Sequence, residues 1–199
     1  MEEITSYIAK NGGFATMQEL KAANIHTRDI ANLVKENVIE KIKPGVYRLS
    51  DYSFFKDVNV SLLTICKAEP QAVICLISAL DYYEMTDFNP SEIYYAIPHS
   101  KKRKSIIYPP VKTFYFRERF YNPGIDVIKT KHGDIRIYNK EKTVCDMFRY
   151  RNKIGEELVM QALKNYLGQK KKSIASLIKY AEICQVKTVM MPILKGLTA

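Results

Sequence analysis

Apolar residues near the N-terminus recur with helical spacing. Ile4, Tyr7 and Ile8 fall at i, i+3 and i+4 and predict a first helix, which Asn11-Gly12-Gly13 stops. Thr16 and Glu19 have the spacing of a capping box, so a second helix starts there, with Met17 and Leu20 on its buried face. Ala22 to His26 makes a turn, and Thr27 is placed to cap a third helix running to about Asn37. In that helix Ile30, Leu33 and Val34 share one face, while Arg28, Asn32 and Lys35 share the other at i, i+4 and i+7. Val38–Lys43 and Val46–Leu49 then read as two strands around Pro44-Gly45, where Pro presets φ and Gly permits a positive φ. Three helices followed by a two-stranded hairpin make residues 1–50 a winged helix-turn-helix.

The pattern changes after residue 50. Tyr52 to Lys56 is an aromatic connector without Pro or Gly, so it predicts packed domains and not a flexible tether. A second domain is expected over residues 57–199. Val58, Leu62 and Ile65 suggest a helix that Glu69-Pro70 ends, Ala72–Ile77 is rich in β-formers, and Ser78–Met85 looks helical. Ile93–Ile97, Val111–Phe116, Ile125–Thr130 and Ile135–Tyr138 read as strands between Pro and Gly breaks. From Asn139 the spacing is helical, with helices expected near 140–150, 155–167, 173–184 and 187–197. Strands followed by helices predict an α+β fold class overall: a winged helix-turn-helix, then a mixed α+β domain with a C-terminal helical region.

Composition narrows the function. The chain has 199 residues, 31 Lys+Arg against 21 Asp+Glu, and a formal charge of +10. That excess points to an anionic partner, most commonly nucleic acid. It is unevenly spread: residues 1–50 hold 7 basic and 6 acidic residues, and residues 51–199 hold 24 and 15. Lys101, Lys102, Arg103 and Lys104 form the densest run, and Lys170, Lys171 and Lys172 a second. Apolar runs fall short of the roughly 20 residues a membrane helix needs. The N-terminus lacks the basic start and apolar stretch of a signal peptide, so a cytoplasmic location with no membrane partner is expected. The four cysteines, Cys66, Cys75, Cys145 and Cys184, are far apart, which predicts buried reduced thiols. No metal, cofactor or catalytic motif is legible, so neither cofactor nor catalysis is expected.

The candidate interface is therefore one for DNA. The second helix of a helix-turn-helix motif enters the major groove. There Arg28 can pair bidentately with guanine and Asn32 with adenine, while Lys35 meets phosphate. Thr27 stands at the same helix end. Lys41, Lys43 and Arg48 sit on the hairpin, where a basic wing can track the backbone. The loop Lys101–Lys104 can grip phosphates through its charge. Asn139 to Asp146 is the sharpest local string: Asn139 suits an N-cap, Glu141 the positive helix end, and Asp146 is spaced to pair with Arg149 or Arg151.

Several of these strings resemble a known family. Phe14-Ala15-Thr16 with Glu19-Leu20, the third helix and Pro44-Gly45-Val46-Tyr47 resemble the N-terminal winged helix of the AbiEi antitoxins of type IV, phage-abortive toxin–antitoxin systems. Val73 to Leu80, Ile93 to Pro98 with the basic loop after it, and Tyr138 to Asp146 followed by Phe148 to Gly155 are similar to segments of that family's second domain. The resemblance runs along nearly the whole chain and keeps the domain order. It implies a DNA-binding antitoxin that represses its own operon at inverted repeats in the promoter. It implies a second domain that counteracts a co-encoded nucleotidyltransferase-like toxin without needing a stable complex with it.

Two readings compete with that one. A metal-dependent nuclease fused to a winged helix needs an Asp on one strand and a Glu-x-Lys pair on the next. Asp126 and Asp134 lie on or beside strands, but neither is followed by such a pair. A transcription factor whose second domain senses a ligand is the other alternative.

Overall fold

The computed structural model describes residues 2–56, 58–102 and 105–198. The first fifty residues build α1 (Glu2–Lys10), β1 (Phe14–Thr16), α2 (Met17–Ala22), α3 (Thr27–Lys35), β2 (Ile39–Lys43) and β3 (Val46–Leu49). Ile4 and Ile8 of α1, Leu20 of α2, and Ile30 and Leu33 of α3 are buried together with Ile39, Ile42 and Leu49 of the hairpin. Full burial of each such aliphatic side chain stabilises the fold by about 1.5–3 kcal/mol. The capping box is present: the Thr16 hydroxyl accepts from Glu19 N–H, and the Thr16 N–H donates to the Glu19 carboxylate at 2.7 Å. The cap of α3 is His26, with extended backbone, and Thr27 is already the first helical residue. Sequence spacing had put the cap one residue later, an offset usual at helix ends.

The wing is wider than a hairpin. β1 pairs antiparallel with β3, Phe14 opposite Arg48 and Thr16 opposite Val46, so the sheet order is β1-β3-β2. β3 is therefore central and all four of its residues are buried. A register shift between Lys41 and Lys43 precedes the Pro44-Gly45 turn, where Gly45 takes φ +78°.

The chain divides into two compact units, and the first collects more than the winged helix: residues 1–72, 103–111 and 127–135. It includes a short 3-10 turn, Tyr52–Phe55, and α4 (Val60–Ala68). Arg48 of β3 donates to the Thr64 hydroxyl on α4 at 2.7 Å, and the Lys43 ammonium donates to the carbonyl of Ala68 at the end of α4. The N–H of Ile107 donates to the carbonyl of Ile42 at 2.8 Å, extending the edge of β2. Residues 127–135 bring His132, whose ring lies 4.9 Å from Phe54 and 5.0 Å from Phe55. Gly12, at φ +76°, has to be glycine here, because a Cβ would sit 2.5 Å from the His132 carbonyl oxygen.

The second unit comprises residues 73–102, 112–126 and 136–199. Its elements are β4 (Val73–Ile74), α5 (Leu76–Tyr82), β5 (Ile93–Pro98), β6 (Val111–Phe116), α6 (Glu118–Tyr121), the start of β7 (Ile125–Thr130), the end of β8 (Gly133–Tyr138), α7 (Lys140–Arg149), α8 (Arg151–Ile154), α9 (Glu156–Gly168), α10 (Ile174–Ile183) and α11 (Lys187–Thr198). The sheet order is β6-β5-β4-β8-β7, with β4 antiparallel to β5 and parallel to β8. The apolar run Ala72–Ile77 yields only a two-residue strand, because Leu76 turns to φ +49° and starts a helix. The protein is thus α+β, with a winged-helix region first and a helical region last.

α7 is the centre of this unit. It packs against α5, α9 and α10, and Lys142 to Phe148 are all buried. Asn139 caps it, accepting from Lys142 N–H at 2.9 Å. Lys142 and Asp146, one turn apart, form an ion pair with neither side chain exposed. The Lys142 ammonium also stands 4.2 Å from the Tyr138 ring centre and 5.2 Å from that of Phe116. Asp146 thus pairs with Lys142, and not with the Arg149 or Arg151 that spacing suggested. Burial pushes the Asp146 carboxyl above its usual range despite the ammonium beside it.

Candidate nucleic-acid interface

α3 presents a polar face above an apolar one. Ile30 and Leu33 are buried beneath it, at 1% and 0% exposure, while Thr27, Arg28, Asn32 and Lys35 are exposed. Arg28 and Asn32 are one turn apart, about 6 Å along the axis at 1.5 Å per residue, and Lys35 lies nearly one turn further. Three donors therefore stand in a row on one helix face. Ala31 is exposed beside them, a residue that charge-based reading passed over; its i+3 spacing from Arg28 was the signal. A methyl group there suits contact with thymine. Asp29 does not share the row: it is half-buried and lines a groove with Glu3 and Tyr7 of α1.

The hairpin residues separate. Lys41 is exposed on β2 and free to face an anionic surface. Lys43 is half-buried and donates to Ala68 O on α4. Arg48 is withdrawn altogether: it is 1% exposed, ion-paired with Glu40, bonded to Thr64, and donates to the Tyr52 hydroxyl at 2.7 Å. Glu40, Thr64 of α4 and Tyr52 take up its head group, so Arg48 points into the unit and not towards a groove. It is corrected from a DNA contact to an internal one, and Lys43 is committed to α4 in the same way.

This helix-turn-helix with a three-stranded wing has a counterpart in sequence. Residues 2–50 match the AbiEi antitoxin family of transcriptional regulators. Among curated proteins the chain has no match. The AbiEi match spans α1 to β3, the segment that carries the exposed row on α3. It supports a DNA-binding antitoxin role.

Lys101 and Lys102 are exposed. Arg103 and Lys104, in the same basic run, lie outside the described residues. The run leads into Ser105–Val111, and that stretch belongs to the first compact unit and is tied to Ile42 of β2 through Ile107. Asp126 and Asp134, weighed for a nuclease, are both exposed. Burial and the nearby Glu141 raise the Asp126 carboxyl. Among the described residues, no group of three or more His, Cys, Asp or Glu is arranged to hold a metal ion. Among them, too, no helix is long and apolar enough to cross a membrane.

Proposed function

We propose that this protein is a DNA-binding antitoxin that represses its own operon. α3 lies in the major groove of an inverted repeat, with Arg28 and Asn32 on base edges and Lys35 on phosphate. Lys41 and the run Lys101–Lys104 contact flanking phosphates. The second unit counteracts a co-encoded nucleotidyltransferase-like toxin, without catalysis of its own. The exposed row Arg28–Asn32–Lys35 over a buried Ile30 and Leu33, inside the segment that matches the family, is the observation that supports this reading.

The test is binding of the full chain to DNA from upstream of its own gene. Arg28→Ala should weaken specific binding by about 1–3 kcal/mol if it reads a base edge. Replacing Lys101–Lys104 with Ala should flatten the dependence of log affinity on log salt by up to about four units, at roughly 0.9 per phosphate contact, with sequence preference kept. Unchanged specific binding in Arg28→Ala together with Asn32→Ala overturns the DNA half of the proposal. Failure of the chain to restore growth when co-expressed with the adjacent toxin gene overturns the antitoxin half.

A further inference from the structure

The second unit carries two guanidinium groups that share one ring. The Arg149 guanidinium carbon stands 3.4 Å from the centre of the Phe120 ring, and that of Arg119 4.6 Å from the same centre. The two are therefore no further apart than the sum of those distances. Arg149 is also framed by Tyr150 and Phe116, at 5.6 and 5.7 Å, and these two rings stack on each other with an interplanar angle of 14°. Phe120 is only 2% exposed, so the platform is fixed by the core.

Neither arginine has a carboxylate partner among the described residues. Asp146, whose carboxyl feels the charge of Arg149, is already committed to Lys142 and accepts from the Cys184 thiol. The Nη1 of Arg149 is buried and makes no hydrogen bond. A guanidinium cannot shed its charge in a protein, so it has to be balanced by packing or by an anion. Rings hold such a group by its flat face and leave the in-plane N–H edge to donate. Two like charges this close repel until an anion lies between them.

We propose that Arg119 and Arg149 form a binding site for a phosphate monoester dianion. Charge count favours this ligand: two guanidiniums match about two negative charges, which a terminal phosphate carries and a backbone diester does not. The planar fork of Arg149 takes two phosphate oxygens, and the exposed Arg119 donates to a third. Phe120 has both cations over it and is buried, so it offers no surface for stacking a base. Recognition thus stops at the phosphate and is indifferent to the group that bears it.

The test is isothermal titration of the full chain with inorganic phosphate, a nucleoside monophosphate, the matching nucleoside and dimethyl phosphate. Saturable binding of the first two and not of the last two is expected. Arg119→Ala, at an exposed position, should weaken phosphate at least about tenfold, the loss of one charge-assisted hydrogen bond. Arg149→Lys keeps the charge and loses the fork, and should weaken it by a similar factor or more. Circular dichroism melts of both variants check that the fold is retained. No saturable phosphate binding, equal binding of dimethyl phosphate, or binding unchanged in both variants overturns the proposal. Because the winged helix takes no part, operator affinity should be unchanged in both variants, so the outcome is separable from that of the DNA reading.

Discussion

Replacing Arg48 with Ala should cost stability and leave DNA recognition intact, the reverse of what its basic character suggests. The head group makes an ion pair with Glu40 and hydrogen bonds of 2.7 Å to both Thr64 and Tyr52. Breaking a fully buried pair by removing one partner costs about 3–5 kcal/mol. Here the Glu40 side chain is 34% exposed and can recover water, which lowers that figure. The loss of charged hydrogen bonds, about 1.5–3 kcal/mol each before relaxation, sets the floor. The expected destabilisation is about 2–4 kcal/mol, measured by urea unfolding of the full chain. Arg48→Met should recover the part owed to the packed stem. Operator binding, corrected for the folded fraction, should keep both its affinity and its salt slope. A phosphate-contacting arginine behaves otherwise: its removal lowers the slope by roughly 0.9 and leaves folding alone. Unchanged stability together with a reduced slope would show that Arg48 reaches DNA and refute the reasoning.

Three further outcomes are expected. Lys142→Met should destabilise by about 3–5 kcal/mol because it strands a buried carboxylate, whereas Lys142→Met with Asp146→Leu should recover most of the loss; thermal melts of the single and double variants check this. Raising the pH should unfold the protein: burial lifts the thiols of Cys75, Cys145 and Cys184 and the phenols of Tyr83, Tyr138 and Tyr166, and it takes Tyr150 up to about 12. Their contribution is complete below the unfolded values, about 8.5 for thiols and 10 for phenols, and is lost as pH climbs from there towards the folded values. A stability profile that stays flat from pH 8 to 11 would contradict that burial. Gly12→Ala should lower thermal stability, since the added carbon meets the His132 carbonyl in a backbone conformation that alanine resists; an unchanged melt would show that residues 127–135 do not pack there.

Local chemistry was legible and distant pairing was not. The Thr16–Glu19 box, the Pro44-Gly45 turn and the Asn139 cap are each settled within four residues, and all three stand as the sequence implies. The exposed row on α3 follows from the same short-range spacing. Arg48 was misjudged because a basic residue on a hairpin reads as outward-facing, and the Thr64 hydroxyl that takes up its head group stands on α4, 16 positions away. β1 itself is too short to show a period. In α7 an unbroken buried stretch that includes Lys142 and Asp146 defeats the rule that charges mark the outside, because each ion is the other's solvent. Leu76 shows the remaining limit: a continuous apolar run carries no period to tell strand from helix, and a single positive φ decides it.

If the protein regulates as proposed, the threading of its first unit bears on how it can acquire a new DNA site. Residues 1–50 look like a cassette, yet their compact unit is completed by α4 and by two later stretches of the chain, 103–111 and 127–135. Recombination at residue 50 would separate Arg48 from Thr64, Lys43 from Ala68 and Gly12 from its cover at His132 in a single step. Whole-module exchange is therefore a costly route for this architecture. Point changes at Arg28, Ala31, Asn32 and Lys35 touch none of those joints, so on the proposed function new specificity would be reached by repainting one helix face while the frame beneath is inherited unchanged.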